Sequence, residues 1–266
     1  MMSLISTLKR HRKIKRAESK VYQSIQDERH PRIIVYNMGK VASTSIYNAL
    51  KKRNDCYGFH THSLTQLEVN DSFWDRNRRI RHCISLAKHI IQPKHPTKII
   101  TLVRDPFARN ISAYFETNKK AKAPNFDTTK INYLIEDFIE HFNHNENEDW
   151  YQNEFNRALD TDIFAYEFDR ERGWSIFKNG SFEVLVLKTS LPDSEKTKQI
   201  EQFTGIENLV INRINETGAK KASSCYKQFK ETIKFPDQIA QSIIRSRFTQ
   251  HFFTESEICN MRKQWL

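Results

Sequence analysis

Three clusters in this sequence have the residue types and spacing to handle anions and protons. The first is the run Asn37-Met38-Gly39-Lys40-Val41-Ala42-Ser43-Thr44-Ser45, which lies between an apolar stretch and a helical pattern. Backbone N–H groups converge at a helix N-terminus, and the peptide dipoles favour negative charge there. Gly39 would let the chain turn tightly, Lys40 supplies a cation, and the hydroxyls of Ser43, Thr44 and Ser45 add donors. A plain strand–helix turn rich in hydroxyls is the alternative. The second cluster is Arg104-Asp105-Pro106-Phe107-Ala108-Arg109-Asn110-Ile111-Ser112-Ala113-Tyr114-Phe115. A guanidinium fork with a hydroxyl two helical turns on can bind a terminal phosphate by charge-assisted hydrogen bonds. A structural Arg104–Asp105 pair, with Ser112 facing the core, is the alternative. The third is His60-Thr61-His62. In extended chain the two rings share one face, and a histidine is a good general base near neutral pH. Glu116, just past the second cluster, is the reserve base. His141 and His144 sit at i, i+3 without further ligands, and read as ordinary exposed polar residues rather than a metal pair.

The first run is not a nucleotide triphosphate loop of the G-x-x-x-x-G-K-[ST] type. It has no upstream glycine, and Val41 follows Lys40. No apolar strand ends in a lone Asp suited to Mg²⁺, since Asp105 follows an arginine and is committed to capping. An ATP-dependent kinase is therefore the weaker reading.

Elements that must position these clusters are legible around them. Short apolar runs alternate with helical patterns, the mark of an α/β fold with a mainly parallel sheet. Strands are expected at Arg32–Asn37, Tyr57–His60, Lys98–Val103, Asp162–Phe168 and Phe182–Lys188. Asn179-Gly180 is a hairpin signal joining Trp174–Lys178 to the last of these. Helices are expected at Ser43–Arg53, at Trp74–Ile91 before Pro93, and from Asp105-Pro106, a favoured N-cap and first helical pair. Further helices are expected at residues 131–145 and 149–159. Past Pro192 the pattern is helical, through Lys196–Phe203, Lys220–Ile233, Asp237–Phe248 and Glu255–Trp265.

Taken together, G-K-x-A-S-T-S after one strand and V-R-D-P-x-x-R-x-x-S-x-Y-F after a later one resemble the sulfotransferases that use 3′-phosphoadenosine-5′-phosphosulfate (PAPS). The likeness is closest to the carbohydrate sulfotransferase branch and to bacterial relatives associated with capsular polysaccharide synthesis. It is firm from Arg32 to Phe115. The resemblance implies a P-loop-like three-layer sandwich with a mainly parallel central sheet flanked by helices and a helical C-terminal lobe. It also implies that Lys40, Val41, Ala42, Ser43, Thr44 and Ser45 hold the 5′-phosphosulfate, with Arg104 and Ser112 on the 3′-phosphate. Uronyl sulfotransferases similarly show an H-x-H pair after this strand. That likeness makes His62 the base, with His60 as its orienting partner or substitute. Leu187–Gly205 resembles the family's segment leading to F-x-G. A basic loop at Asn215–Lys221, with Arg213, Lys220 and Lys221, could correspond to the family's loop closing over the nucleotide, but solvated surface lysines are its plainer reading. The R-K-G signature of the small-molecule enzymes is absent. PAPS is then a co-substrate, no metal is implied, and the acceptor is a hydroxyl, expected on a carbohydrate. One cavity must hold both charged ends of the nucleotide, so the two motifs have to meet in space.

Composition sets the outer limits. The 266 residues carry a net charge of +11, and 38% are hydrophobic, which suits a soluble chain with anionic partners. A basic, aromatic-rich surface suits an anionic sugar. A nucleic-acid or polyanion-binding module is the competing class, but it leaves the paired motifs unexplained and shows no helix-turn-helix or zinc signature. Much of the excess charge sits in Lys9, Arg10, Arg12, Lys13, Lys15, Arg16 and Lys20. A solvated basic helix is the plain reading of this stretch. The sharper one is a dock for an anionic membrane surface or acidic acceptor, edged by Leu4, Ile5 and Leu8. Residues 1–30 are thus expected to be a basic helical extension and 31–266 a sulfotransferase-like α/β domain. Scattered cysteines, and no secretory signal or apolar span, lead us to expect a cytoplasmic protein.

Overall fold

Apolar runs too short for helices and rich in β-branched residues form the centre of the molecule. The computed structural model describes residues 18–65, 78–118, 131–212 and 222–266. Five strands make one sheet: β1 Arg32–Tyr36, β2 Tyr57–Thr61, β3 Thr97–Val103, β4 Trp174–Asn179 and β5 Phe182–Lys188. Their order is β2-β1-β3-β5-β4. All pairings are parallel except that of β4 with β5. Every residue of β1 is buried, as expected for a parallel strand covered on both faces. The β4–β5 hairpin pairs Asn179 with Phe182 across a two-residue turn, where Gly180 takes φ +56°, a conformation cheap only for glycine.

Helices cover the sheet. The first described helix, α1, spans residues 18–26 and buries Val21 in the core. α2 is Ser43–Lys51 and α3 is Arg78–Leu86, which continues through a π-turn at Ala87–Ile91. α4 is Pro106–Thr117 and α5 is Ile131–His141. α6, Glu146–Trp150, passes through a second π-turn, Tyr151–Phe155, into α7, Asn156–Leu159. The C-terminal helices are α8 Asp193–Thr204, α9 Ala222–Thr232, α10 Asp237–Arg245, α11 Arg247–Phe252 and α12 Glu255–Trp265. No described helix is long and apolar enough to cross a membrane.

Two sequence expectations are corrected. Asp162–Phe168 is not a strand but a 3₁₀ turn at Ile163–Ala165. Asn156 Oδ1 accepts from Ile163 N–H, and Asp162 Oδ1 accepts from Phe164 N–H, so side chains take the donors a ladder would need. The helix expected over Asp237–Phe248 breaks at Ser246, whose Oγ accepts from Thr249 N–H and starts α11. The basic N-terminal stretch ahead of residue 18, the start of the helix expected at Trp74, and the 213–221 loop with Arg213, Lys220 and Lys221 lie outside the described residues.

The contact that seats α2 on the sheet is Gly58 against Leu50. A Cβ at Gly58 would lie 2.9 Å from Leu50 Cβ and 3.3 Å from its carbonyl carbon, so helix backbone would have to move. Gly58→Ala is expected to destabilise the fold by about 1–3 kcal/mol, the usual size of an overpacking strain. Urea unfolding of the variant measures this, and an unchanged midpoint would refute the tight seating.

Candidate active site

The chain runs from β1 out to β2 on one side, then returns to β3 on the other. Such a switch point opens a crevice at the carboxyl ends of the strands. Here Asn37 wedges it. Paired residues of β1 and β3 stop at Val35 and Ile100. Beyond them the buried Asn37 side chain donates to Ile100 C=O at 3.3 Å and accepts from Leu102 N–H. One amide side chain thus replaces the missing stretch of ladder, and both strand ends stay satisfied.

The loop 37–42 lines this crevice. Its left-handed residues are Lys40 at φ +72° and Ala42 at φ +59°, and not Gly39, where the tight turn was expected. A Cβ at Gly39 would meet nothing within 4 Å, so the glycine leaves open room rather than supplying a special torsion. Left-handed geometry at non-glycine residues costs of order 1–3 kcal/mol each and collects at functional sites. Left-handed residues placed this way can turn successive N–H groups toward one point, the geometry from which anion-binding concavities are built. Ala42 is the N-cap of α2 and offers no side-chain cap, so the dipole end of that helix faces the same place. Ser43 is buried, while Thr44 is exposed. Ser45 Oγ donates to Ala42 C=O at 2.9 Å.

The two motif segments meet. Arg104 Nη1 donates to Lys40 C=O at 2.7 Å, and Arg109 Nε donates to Gly39 C=O at 3.1 Å. Arg109 is 3% exposed and pairs with Glu146 at 2.5 Å. Lys40 Nζ lies 3.4 Å from Glu116, whose side chain is 62% exposed. Asp105 caps α4 by accepting from Phe107 and Ala108 N–H, and it also accepts from the Trp265 indole of α12 at 3.2 Å. Burial pushes the Asp105 carboxyl up, and these three donors work against that push. Ser112, two turns into α4, is half-buried.

The two histidines part company. His60 Nε2 lies 3.0 Å from Ser43 Oγ, and its ring stacks on Tyr47 at 5.4 Å. It therefore belongs to the α2 interface. His62 lines the cavity. Its Nδ1 is 2.6 Å from Asn37 C=O, which can only accept, so Nδ1 carries a proton, and whenever the ring is neutral its lone pair is on Nε2. The rings meet edge-to-face at 4.8 Å. His62 C=O accepts from Trp150 Nε1 at 3.1 Å. The loop that follows is clamped by Glu154. Its carboxylate accepts from Tyr36 Oη at 2.7 Å, from Leu64 and Thr65 N–H, and from the Ser63 and Thr65 hydroxyls. Burial, and then the Glu154 charge, hold the Tyr36 phenol far above its ordinary range, so it stays a donor.

The cavity measures about 600 Å³, and its described lining includes Gly39, Lys40, Thr44, His62, Arg109, Glu116, Glu146 and Trp150. A second opening of about 400 Å³ flanks the other side of α2, between Ser45, Lys51, Lys52 and Asn212. Sequence reasoning overlooked Glu146, Trp150 and Glu154, and it named Asn37 and Arg109 within their runs without giving either a role of its own. His144, expected on the surface, instead packs among Phe138, Phe142 and Phe235, and burial lowers its affinity for a proton. Among the described residues no group of three His, Cys, Asp or Glu could hold a metal.

Two family models match the chain. One, described as "Sulfotransferase family", matches residues 22–174, more than half of the sequence. The other, described as "Putative capsular polysaccharide synthesis protein", matches residues 123–254. The first spans β1, the 37–45 loop, both histidines and α4. The second begins beyond them and covers most of the C-terminal half. No curated protein and no solved structure gives a significant match.

Proposed function

Because the chain belongs to the sulfotransferase family, and sulfuryl transfer is the chemistry of that family, we propose that it moves the sulfuryl group of PAPS to a carbohydrate hydroxyl. The observation that carries this reading is the 2.7 Å bond from Arg104 to the Lys40 carbonyl, which brings together the two segments that the reading assigns to the two ends of the nucleotide. In this reading the amides and side chains of Gly39, Lys40, Val41, Ala42, Ser43, Thr44 and Ser45 hold the phosphosulfate. Arg104 and Ser112 hold the 3′-phosphate. The capsular polysaccharide family match supports a sugar acceptor.

His62 Nε2 takes the acceptor proton as the acceptor oxygen bonds to sulfur. On the far side of the sulfur, the bond to the bridging phosphate oxygen breaks. Lys40 and the loop amides meet the charge that grows on that oxygen, which is stabilisation of an oxyanion-hole kind. Asn37 C=O fixes the His62 tautomer, and His60, on β2 and bonded to Ser43 of α2, buttresses the ring. The test is thermal unfolding in the presence of adenosine 3′,5′-bisphosphate, ATP with Mg²⁺, or a DNA duplex. A ligand that binds only the native state raises the midpoint by mass action. The bisphosphate without metal is expected to give the clear rise. A rise with ATP–Mg²⁺ alone would favour a kinase, and one with DNA alone a polyanion-binding module.

A further inference from the structure

Three side chains at four-residue intervals along one helical run reach both halves of the site. Glu146 and Trp150 lie on α6, and Glu154 lies in the π-turn that continues it. Glu146 accepts from Arg109 Nη1 at 2.5 Å, and Arg109 Nε in turn donates to Gly39 C=O of the 37–42 loop. Trp150 Nε1 donates to His62 C=O at 3.1 Å. Glu154 braces both partners of the bond between His62 Nδ1 and Asn37 C=O, through their chain neighbours. Its Oε1 accepts from Tyr36 Oη, beside Asn37, and from Leu64 and Thr65 N–H. Its Oε2 accepts from the hydroxyls of Ser63, beside His62, and Thr65.

Four residues of α-helix turn about 40° beyond a full circle, so side chains at this interval drift around the axis. The wider π-turn at Tyr151–Phe155 opposes that drift, and such turns gather at functional sites. The run is also anchored apart from the loops it serves. Asn147 Nδ2 donates to Asn110 Oδ1 of α4 at 2.8 Å, and Tyr151 Oη lies 3.1 Å from Thr101 Oγ1 of β3. We propose that this helical face sets the base against the phosphate loop. Glu154 is the positioning residue for His62, Trp150 assists it, and Glu146 steadies the loop through Arg109. The inference rests on the sulfotransferase reading above for what His62 and the loop do. The action of Glu154 is geometric and does not need its charge. Both partners of Oε2 are hydroxyls, which can accept as well as donate. A glutamine amide therefore fits, with its oxygen toward Tyr36 Oη and the two backbone N–H groups.

The experiment takes three measurements on the full chain. They are label transfer from sulfur-labelled PAPS to dextran and to heparosan, calorimetric binding of adenosine 3′,5′-bisphosphate, and ¹⁵N spectra of the His62 ring at alkaline pH, assigned by their loss in His62→Asn. Glu154→Ala is expected to lower the transfer rate on the order of 10²-fold, the effect of misplacing a reacting group by about an ångström. Its bisphosphate affinity should stay near the wild-type value. Its His62 signals should move from the Nδ1-protonated form to a mixture of tautomers. Glu154→Gln should bring both rate and signals back, which loss of a charge would not allow. Should Glu154→Ala fail to fold, Trp150→Phe, which removes only the indole N–H, is expected to show the same split on a smaller scale. Glu146→Ala should do the reverse, weakening the bisphosphate while the His62 signals stay in place. His62 signals unmoved in both Glu154→Ala and Trp150→Phe overturn the inference. So does a rate loss in Glu154→Ala that an equal loss of bisphosphate affinity explains. Where the wild type labels neither glycan, the spectra decide. A wild type that binds no bisphosphate ends the sulfotransferase reading, while the spectra still judge the placement of His62.

Discussion

Lys40→Ala is expected to lower the transfer rate by ~10²–10³, the typical cost of deleting one donor aimed at developing transition-state charge. The fold should hardly register the change. Lys40 makes its ion pair with the exposed Glu116 at 3.4 Å, and pairs of that kind contribute about 0–1 kcal/mol. Alanine at φ +72° is no more strained than lysine there, because both carry a Cβ. The loop amides that form the concavity stay where they are, tied by Arg104 and Arg109 to the carbonyls of Lys40 and Gly39. Initial rates with labelled donor, set beside unfolding midpoints, give the measurement. A variant with near wild-type rates would remove Lys40 from the chemistry. One that unfolds would show that the side chain holds the loop instead.

His62→Asn should be nearly as severe, with a fall in kcat of ~10²–10⁴, the usual contribution of a positioned general base. Asparagine is the informative replacement. Its amide N–H₂ can take over the bond that Nδ1 makes to Asn37 C=O, so the loop keeps its anchor while the ring nitrogen that would accept the proton is gone. Donor affinity should change little, because His62 lies outside the phosphate loop. His60→Asn is the companion variant: if it abolishes the rate while His62→Asn retains it, the roles of the two rings are exchanged.

The readable parts of the molecule were those fixed by local pattern. β1, β3 and β5 are apolar runs of strand length, and α4 is announced by Asp105-Pro106. The β4–β5 turn is written in Asn179-Gly180. The pairing of His60 and His62 on one face also follows from strand geometry, but their division of labour does not. It depends on Ser43 and Tyr47 lying beside one ring, and Asn37 and Trp150 beside the other. The segment Asp162–Phe168 misled because its alternating aromatics imitate a strand, whereas Asn156 and Asp162 spend its amide donors locally. The most consequential side chains were silent. Glu154 reaches back about ninety residues to the loop after His62, and nothing in the spacing of Trp150 and Glu154 reveals their targets. Loop geometry was misjudged in a similar way. Glycine drew attention at position 39, while the left-handed conformations fell to Lys40 and Ala42, imposed by tertiary bonds rather than by propensity.

The Asn37 wedge bears on how such a site can change over generations. A crevice propped open by one amide, with its donor and acceptor both committed to β3, has no intermediate widths. Substitutions there are expected to close the gap or to part the ends of β1 and β3 inside the sheet, and neither gives a slightly larger opening. Change would therefore accumulate on the cavity walls, at positions such as Glu116, Phe142 and Trp150, while the span between the two strands passes on as a constant.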